Sequence, residues 1–395
     1  MRIFIYLVAA TCLVVFSIAN AEVNTKSKMQ FKIATLLPDN TDQVKKLRAA
    51  ADEIKERTEG RVLFKYYLGG IQGGDDKVLY KMKIGQLHGS MFTPMALQKS
   101  YPDINIYGLP FIFKSEDEVD YVRKLMDDKF QRGLEEAGFV NFGFAGGGFT
   151  VILSNEPVRS YRDLKGKKVW VPEGDILTYK AMEALDLTLI PLEIVNVRTG
   201  LQTGLINVVA TTPAGALIFQ WHTKVKYVTQ MPILFTMYLM VIDAKAFNKI
   251  NTVDQAIVRE VMSHLYTQLD AAERKDAPDA MQALINSGIE SIQPLPGEFE
   301  KLQKEIAIAN RAMADLNMFS SELLEEMLFH VQNFRRAQIS HDTMKCIQVA
   351  NKEDIGEQVS TTITVEDWQS SDMNACDSAM SETELNEQAS LSKRQ

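Results

Sequence analysis

Cysteine is scarce, with three in 395 residues. Cys12, Cys346 and Cys376 show no C-x-x-C spacing and no neighbouring histidine pair, which argues against a zinc site. The five histidines, His88, His222, His264, His330 and His341, are scattered without Cys, Glu or His at ligand spacing. Nucleophile elbows, phosphate-binding P-loops and dinucleotide fingerprints are also missing; the one glycine run, Gly146-Gly147-Gly148, continues into Phe149-Thr150. Adjacent carboxylates such as Asp75-Asp76 and Glu325-Glu326 fall on helical patterns, where helix-start charge or a solvated face explains them. These absences argue against metal, cofactor and catalytic chemistry. No dense basic run occurs and the net charge is −8, so nucleic acid is an unexpected partner.

Long apolar runs are missing too, apart from the N-terminus. Met1-Arg2, the apolar stretch Ile3 to Phe16 and the small residues Ala19-Asn20-Ala21 have the order of a cleavable secretory leader over residues 1–21. That stretch is shorter than the roughly 18 apolar residues that span a bilayer. Export makes a Cys346–Cys376 disulfide admissible, with two free thiols as the alternative. With 46% hydrophobic and 24% charged residues, the remainder has the composition of a globular chain long enough for two domains.

Phe31 to Leu37 is a strand pattern, and Val44, Leu47, Ala51 and Ile54 recur at helical spacing before Gly60. Val62, Phe64 and Tyr66 alternate as a strand does, and a second helix follows Gly73-Gly74-Asp75-Asp76. This β-α-β-α order predicts a parallel or mixed sheet covered by helices. Ser115 with Glu118, and Thr252 with Gln255, have capping-box spacing. Phe139 to Phe144 is a strand candidate, and the glycine run after it fits a hinge or a close backbone approach, with a plain turn as the alternative. A second α/β alternation runs from Lys167 to Ala210. Ile233 to Ile242 reads as a buried strand returning to the first unit, and Ile257, Val261, Leu265 and Leu269 share one face of a long helix. From about Ile339 the periodicity fades into an acidic tail.

Several segments occur in an order that resembles the solute-binding proteins of tripartite ATP-independent periplasmic (TRAP) transporters, the DctP-type family. They are Thr58-Glu59-Gly60-Arg61-Val62, Gly73-Gly74-Asp75, Gly108-Leu109-Pro110-Phe111-Ile112-Phe113, Asp163-Leu164-Lys165-Gly166-Lys167-Lys168-Val169-Trp170-Val171-Pro172 and Gly200-Leu201-Gln202-Thr203-Gly204. The resemblance covers Phe31 to about Phe334. It implies a two-lobed α/β periplasmic binding protein fold with crossing hinge strands and a long inter-lobe helix. The expected division is 29–148 and 149–235 for the lobes, 236–285 for the return and the bridging helix, 286–338 for C-terminal helices and 339–395 for the tail. The implied function is capture of a small molecule in the periplasm for a membrane permease, without cofactor or catalysis.

Departures from the family pattern bear on the ligand. The resemblance puts a carboxylate-clamping arginine at the position of Trp170 and another at Thr150, an Asp-Gly-Gln-Glu-Asn segment at Asn207 to Thr211, and in some members an asparagine at Leu36. A buried carboxylate without a counter-ion is costly, so loss of both guanidinium groups predicts a hydrophobic or amphipathic ligand. Trp170 is expected to pack on that ligand, with Phe149, Phe235, Leu36 and Val209 as apolar walls. Thr150, Thr211, Thr212 and Tyr238 would supply neutral hydrogen bonds, and Thr93 and Asn196 complete the lining. On this basis Trp170→Ala should weaken binding without unfolding. The alternatives are a core role for Trp170, with Arg198 or another cation holding a small carboxylate, or a ligand-free interaction protein on the same fold. A subgroup lacking the clamp is associated with a tetratricopeptide-repeat partner, which the resemblance extends to this chain as an expectation.

Overall fold

The computed structural model describes residues 28–183 and 187–354; for Ala181, Glu183, Lys301 and residues 341–354 it describes the backbone alone. The expected leader, Cys376 and the Cys346 side chain lie outside that description, and so does the proposed bridge.

Strands β1 (Met29–Ala34), β2 (Val62–Tyr67), β3 (Gly89–Phe92), β4 (Phe139–Asn141) and β5 (Ala145–Phe149) come first along the chain. Then β6 (Val151–Ser154), β7 (Lys168–Pro172), β8 (Thr188–Leu192), β9 (Val208–Thr211) and β10 (Tyr227–Thr229) build a second sheet. Strand β11 (Phe235–Asp243) returns to the first sheet and β12 (Glu290–Ile292) to the second. The first sheet has the order β2-β1-β3-β11-β4 with β5 also on β11, and the second β12-β10-β6-β9-β7-β8. Pairing of β1 with β2 and β3 is parallel, and that of β11 with β3, β4 and β5 antiparallel, so the first sheet is mixed.

Each sheet is covered on both faces. On the first, Phe31, Ile33 and Met240 pack against Leu47, Ile54, Val258 and Leu265, while Leu239 and Phe92 pack against Tyr107, Val122, Phe130 and Met327. On the second, Leu153 and Val209 meet Val197, Trp221 and Leu284, and Ile152 and Val169 meet Phe299 and Ile306. Two lobes with separate cores follow, joined by four connections: Thr150, the stretch between Thr229 and Phe235, the helix Thr252–Asn286, and the helix Glu300–Asp315, whose Leu302 and Ile306 pack on the second sheet and Met313 and Ala314 on the first. The Thr150 N–H donates to Leu234 O at 2.9 Å and Ile233 N–H to Thr150 O at 3.1 Å, so the first two connections are hydrogen-bonded to each other.

Several local expectations are corrected. The glycine run does not interrupt a strand but lies inside β5, where Thr236 faces Gly148 and Met237 faces Gly146, leaving Gly147 as the extra residue of a bulge. A Cβ on Gly147 would stand 2.6 Å from Thr236 Oγ1, so a larger residue would have to displace that hydroxyl from its bond to Gly148 O. The long helix is capped one residue earlier than Thr252: Asn251 Oδ1 accepts from Asp254 N–H at 2.9 Å. At Ser115 the hydroxyl accepts from Glu118 N–H, but the Glu118 carboxylate bonds Lys114 N–H at 2.8 Å and clamps Arg335 through two contacts of 2.7 and 2.8 Å. Beyond Ile339 the backbone stays helical to Asp354, as the end of the helix Ser321–Asp354. Its first half lies along the helix Glu116–Glu136, with Phe334 against Tyr121.

Candidate functional site: the cavity between the two sheets

A cavity of about 190 Å³ lies where the carboxyl ends of β1, β7 and β8 converge. In open α/β sheets ligands bind outside these ends, because the loops there carry side chains free of sheet pairing. One wall comes from Leu36 after β1, the first turn of the helix Asp75–Lys83, and the turn from Met95 to Lys99. The opposite wall is Pro172-Glu173-Gly174 after β7 and Glu193-Ile194-Val195 after β8. Leu36, Met95, Ala96, Pro172, Ile194 and Val195 make much of this lining apolar.

The two walls touch. Lys77 Nζ stands 3.0 Å from Glu193 Oε1, and the Gln98 amide donates to Gly174 O. Gly74 lies beside Glu193, where a Cβ would come within 3.1 Å of Oε1. Lys99 holds Asp76 at 3.0 Å. Asp75 is different: burial, reinforced by Asp76 and Glu193, pushes its carboxyl up to about 6.

Of the expected ligand residues, Leu36 is in the lining. Asn196 and Arg198 are exposed on the helix Ile194–Thr203, which starts at the cavity edge. Thr93 is half-buried just ahead of the turn that carries Met95. Phe149 and Phe235 meet edge to face at 5.4 Å on paired hinge strands and join the core of the first sheet. Thr150 is buried between them and the second sheet. Thr211 ends β9, and Thr212 caps the next helix by accepting from Gly215 N–H at 3.0 Å. Tyr238 is half-buried on the long helix's side of the first sheet, where burial and the nearby Glu273 and Asp270 hold its hydroxyl protonated. Val209 is fully buried.

Trp170 belongs to the core of the second sheet, the alternative to its expected place against the ligand. It is 8% exposed, its N–H donates to Leu192 O at 3.0 Å, and its ring meets Trp221 edge to face at 5.3 Å. An indole at this position satisfies its polar edge with backbone and hides the rest, which a guanidinium needing several acceptors does not. Sequence reasoning passed over Asp75, Gln98 and Glu193. For Glu193 the usable signal was its position directly after a strand; Asp75 and Asp76 carry the pattern of helix-start charge, which they also are.

At the hinge, the Glu273 carboxylate on the long helix lies against β5. A Cβ on Gly148, whose φ is +83°, would fall 2.6 Å from Glu273 Oε1. Burial, with Glu116 and Asp270 adding repulsion, pushes Glu273 up to about 7. Asp270 is held by Arg123 at 2.7 Å and accepts from Gly146 N–H at 2.7 Å, fixing the helix to the glycine strand.

The family model for DctP, bacterial extracellular solute-binding protein family 7, matches residues 33–315. A solute-binding protein of Sulfitobacter sp. strain NAS-14.1 is 23% identical over 301 residues, covering 74% of this chain and 88% of that protein. One from Chromohalobacter salexigens is 27% identical over 175 residues, so that match takes in about half of it, 51%, and 43% of this chain. Among solved structures, a TRAP periplasmic solute-binding protein from Desulfovibrio salexigens with bound orotic acid superposes with a TM-score of 0.71 at 16% identity, covering 78% of this chain and 99% of that one. The sugar-acid-binding protein of Advenella mimigardefordensis in complex with galactonate gives a TM-score of 0.72 at 16% identity, with coverages of 78% and 99%. These structural likenesses carry the fold.

Proposed function

The chain belongs to the DctP family of bacterial extracellular solute-binding proteins, and from that premise we propose that it is the periplasmic binding protein of a TRAP-type transporter. It captures a small, weakly polar ligand between its lobes and presents the closed form to a membrane permease. The supporting observation is the inter-lobe cavity, whose lining combines six apolar residues with no arginine and with its two lysines, Lys77 and Lys99, already paired to carboxylates. At about 25 cal/mol per Å², covering some 150 Å² of apolar ligand surface yields roughly 4 kcal/mol before ordering costs. Only in the closed arrangement do both walls touch the ligand, so binding shifts the population toward closure. Membership of the clamp-free subgroup with a tetratricopeptide-repeat partner is part of this reading.

A second reading, a small carboxylate held by Arg198, is favoured by the acids bound in the solved relatives, orotic acid and galactonate. Mass spectrometry of whatever co-purifies with the protein, together with a thermal-shift panel of dicarboxylates, sugar acids and uncharged apolar compounds, separates the two. Stabilisation by the acids alone, abolished in Arg198→Ala, would replace the first reading with the second.

A further inference from the structure

The cavity lining carries four carboxylates, Asp75, Asp76, Glu173 and Glu193, and two cations, Lys77 and Lys99. Both lysines are engaged, Lys77 with Glu193 at 3.0 Å and Lys99 with Asp76 at 3.0 Å. Among the described residues no hydrogen bond or ion pair reaches the carboxyl of Asp75, although it is the more buried of the adjacent pair. An anionic ligand entering here meets uncompensated negative charge inside apolar walls, where screening by water is weak. A cation meets a carboxylate that lacks a partner.

From this geometry we infer that Asp75 determines specificity by receiving the ammonium group of a small amine whose apolar body packs on Leu36, Met95, Pro172, Ile194 and Val195. The inference rests on the proposed binding function and sharpens its ligand class. The ligand is small because the space is about 190 Å³, against the roughly 150 Å³ that accommodates benzene in an apolar cavity. Its charge offsets the burial of Asp75, which chiefly raises that carboxyl to about 6, and the added repulsion from Asp76 and Glu193. The other charged groups facing the space are Lys77 on the same helix, Lys99 on the adjoining turn and Glu173 after β7. Amine binding therefore weakens as pH falls through about 6, when Asp75 takes a proton.

The test is calorimetric titration of the full chain with benzylamine, benzyl alcohol and benzoate, which share one apolar body, and with galacturonate and succinate. Benzylamine should bind about tenfold more tightly than benzyl alcohol at pH 7.5, as a charge-assisted hydrogen bond in a partly dry site predicts. Asp75→Asn should erase that difference while leaving benzyl alcohol unchanged, and Asp75→Glu should keep most of it. Equal binding of the amine and the alcohol, an amine preference that survives in Asp75→Asn, or no binding by either overturns the role of Asp75. Binding of the alcohol alone overturns only the ammonium and leaves the weakly polar cleft standing. Preferential binding of benzoate, galacturonate or succinate overturns both.

Discussion

Trp170 shows how a substitution can be visible in a sequence while its consequence is not. The missing guanidinium was legible at Val169-Trp170-Val171-Pro172, but the partners that draw the indole inward, Leu192 and Trp221, are 22 and 51 residues away along the chain. We expect Trp170→Ala to cost about 3–5 kcal/mol, the range for removing a large aromatic from a core. A urea titration checks this through a lower midpoint at unchanged slope. An unchanged midpoint with weakened binding would return the residue to the ligand. Glu273 adds a pH signature. Its carboxyl is raised from the ordinary 4.5 to about 7, so the folded state holds a proton that the unfolded chain has already released. Its stabilising contribution is complete below pH 4.5 and lost as pH rises through about 7. Between these limits the melting temperature of Glu273→Gln should fall less with rising pH than that of the unaltered protein; parallel curves would mean that the carboxyl titrates normally.

At the scale of elements, the helix Thr252–Asn286 was legible from Ile257, Val261, Leu265 and Leu269, because a buried face imposes helical spacing. Its start was misplaced by one residue, since Asn251 and Thr252 both have capping side chains and the choice rests on Asp254, which also closes a long-range contact. Arg61 holds that carboxylate through two hydrogen bonds of 2.9 Å, and the Asp254 side chain is 1% exposed. Removing it with Asp254→Ala leaves Arg61 only the longer, exposed contact to Glu59 at 3.4 Å and takes from Asn251 the carboxylate its side-chain amide donates to, so the melting temperature at neutral pH should fall. The pH sign is opposite to that of Glu273. The hydrogen bond from Arg61 holds Asp254 below its ordinary 3.8, so its contribution is present above that value and fades as pH falls below it. The gap in stability between protein and variant should therefore stay constant above pH 3.8 and narrow as pH falls below it, which urea titrations at several pH values check. The helix Ser321–Asp354 outlasts the periodicity of its sequence for a different reason. Polar composition does not forbid a helix, and the packing that starts this one, Arg335 on Glu118 and Phe334 on Tyr121, joins residues more than two hundred positions apart.

For the whole molecule, the alternation of strands and helices, reinforced by the family motifs, carried the two-lobed architecture, because each β-α unit is a local pattern. What faces what across the cleft was not legible: Lys77 and Glu193 lie 116 residues apart, and only the hinge geometry brings them together. That pair is a weak latch. The lysine side chain is 66% exposed, and pairs so open to water contribute about 1 kcal/mol or less. The closed form then depends on the ligand and on the hinge, where Gly148 at φ +83° leaves room for Glu273. These unequal contributions set an order for the effects of mutation. Lys77→Ala should raise the ligand dissociation constant by about fivefold at most, as 1 kcal/mol allows, and added salt should shrink the effect further. Gly148→Ala should do more, because a side chain there is strained by its backbone and collides with the Glu273 carboxylate. Small-angle scattering with and without saturating ligand distinguishes the two: Lys77→Ala should reach the same compact bound state as the unaltered protein, and Gly148→Ala should stay expanded. If Lys77→Ala fails to close while Gly148→Ala closes normally, the latch rather than the hinge controls the motion.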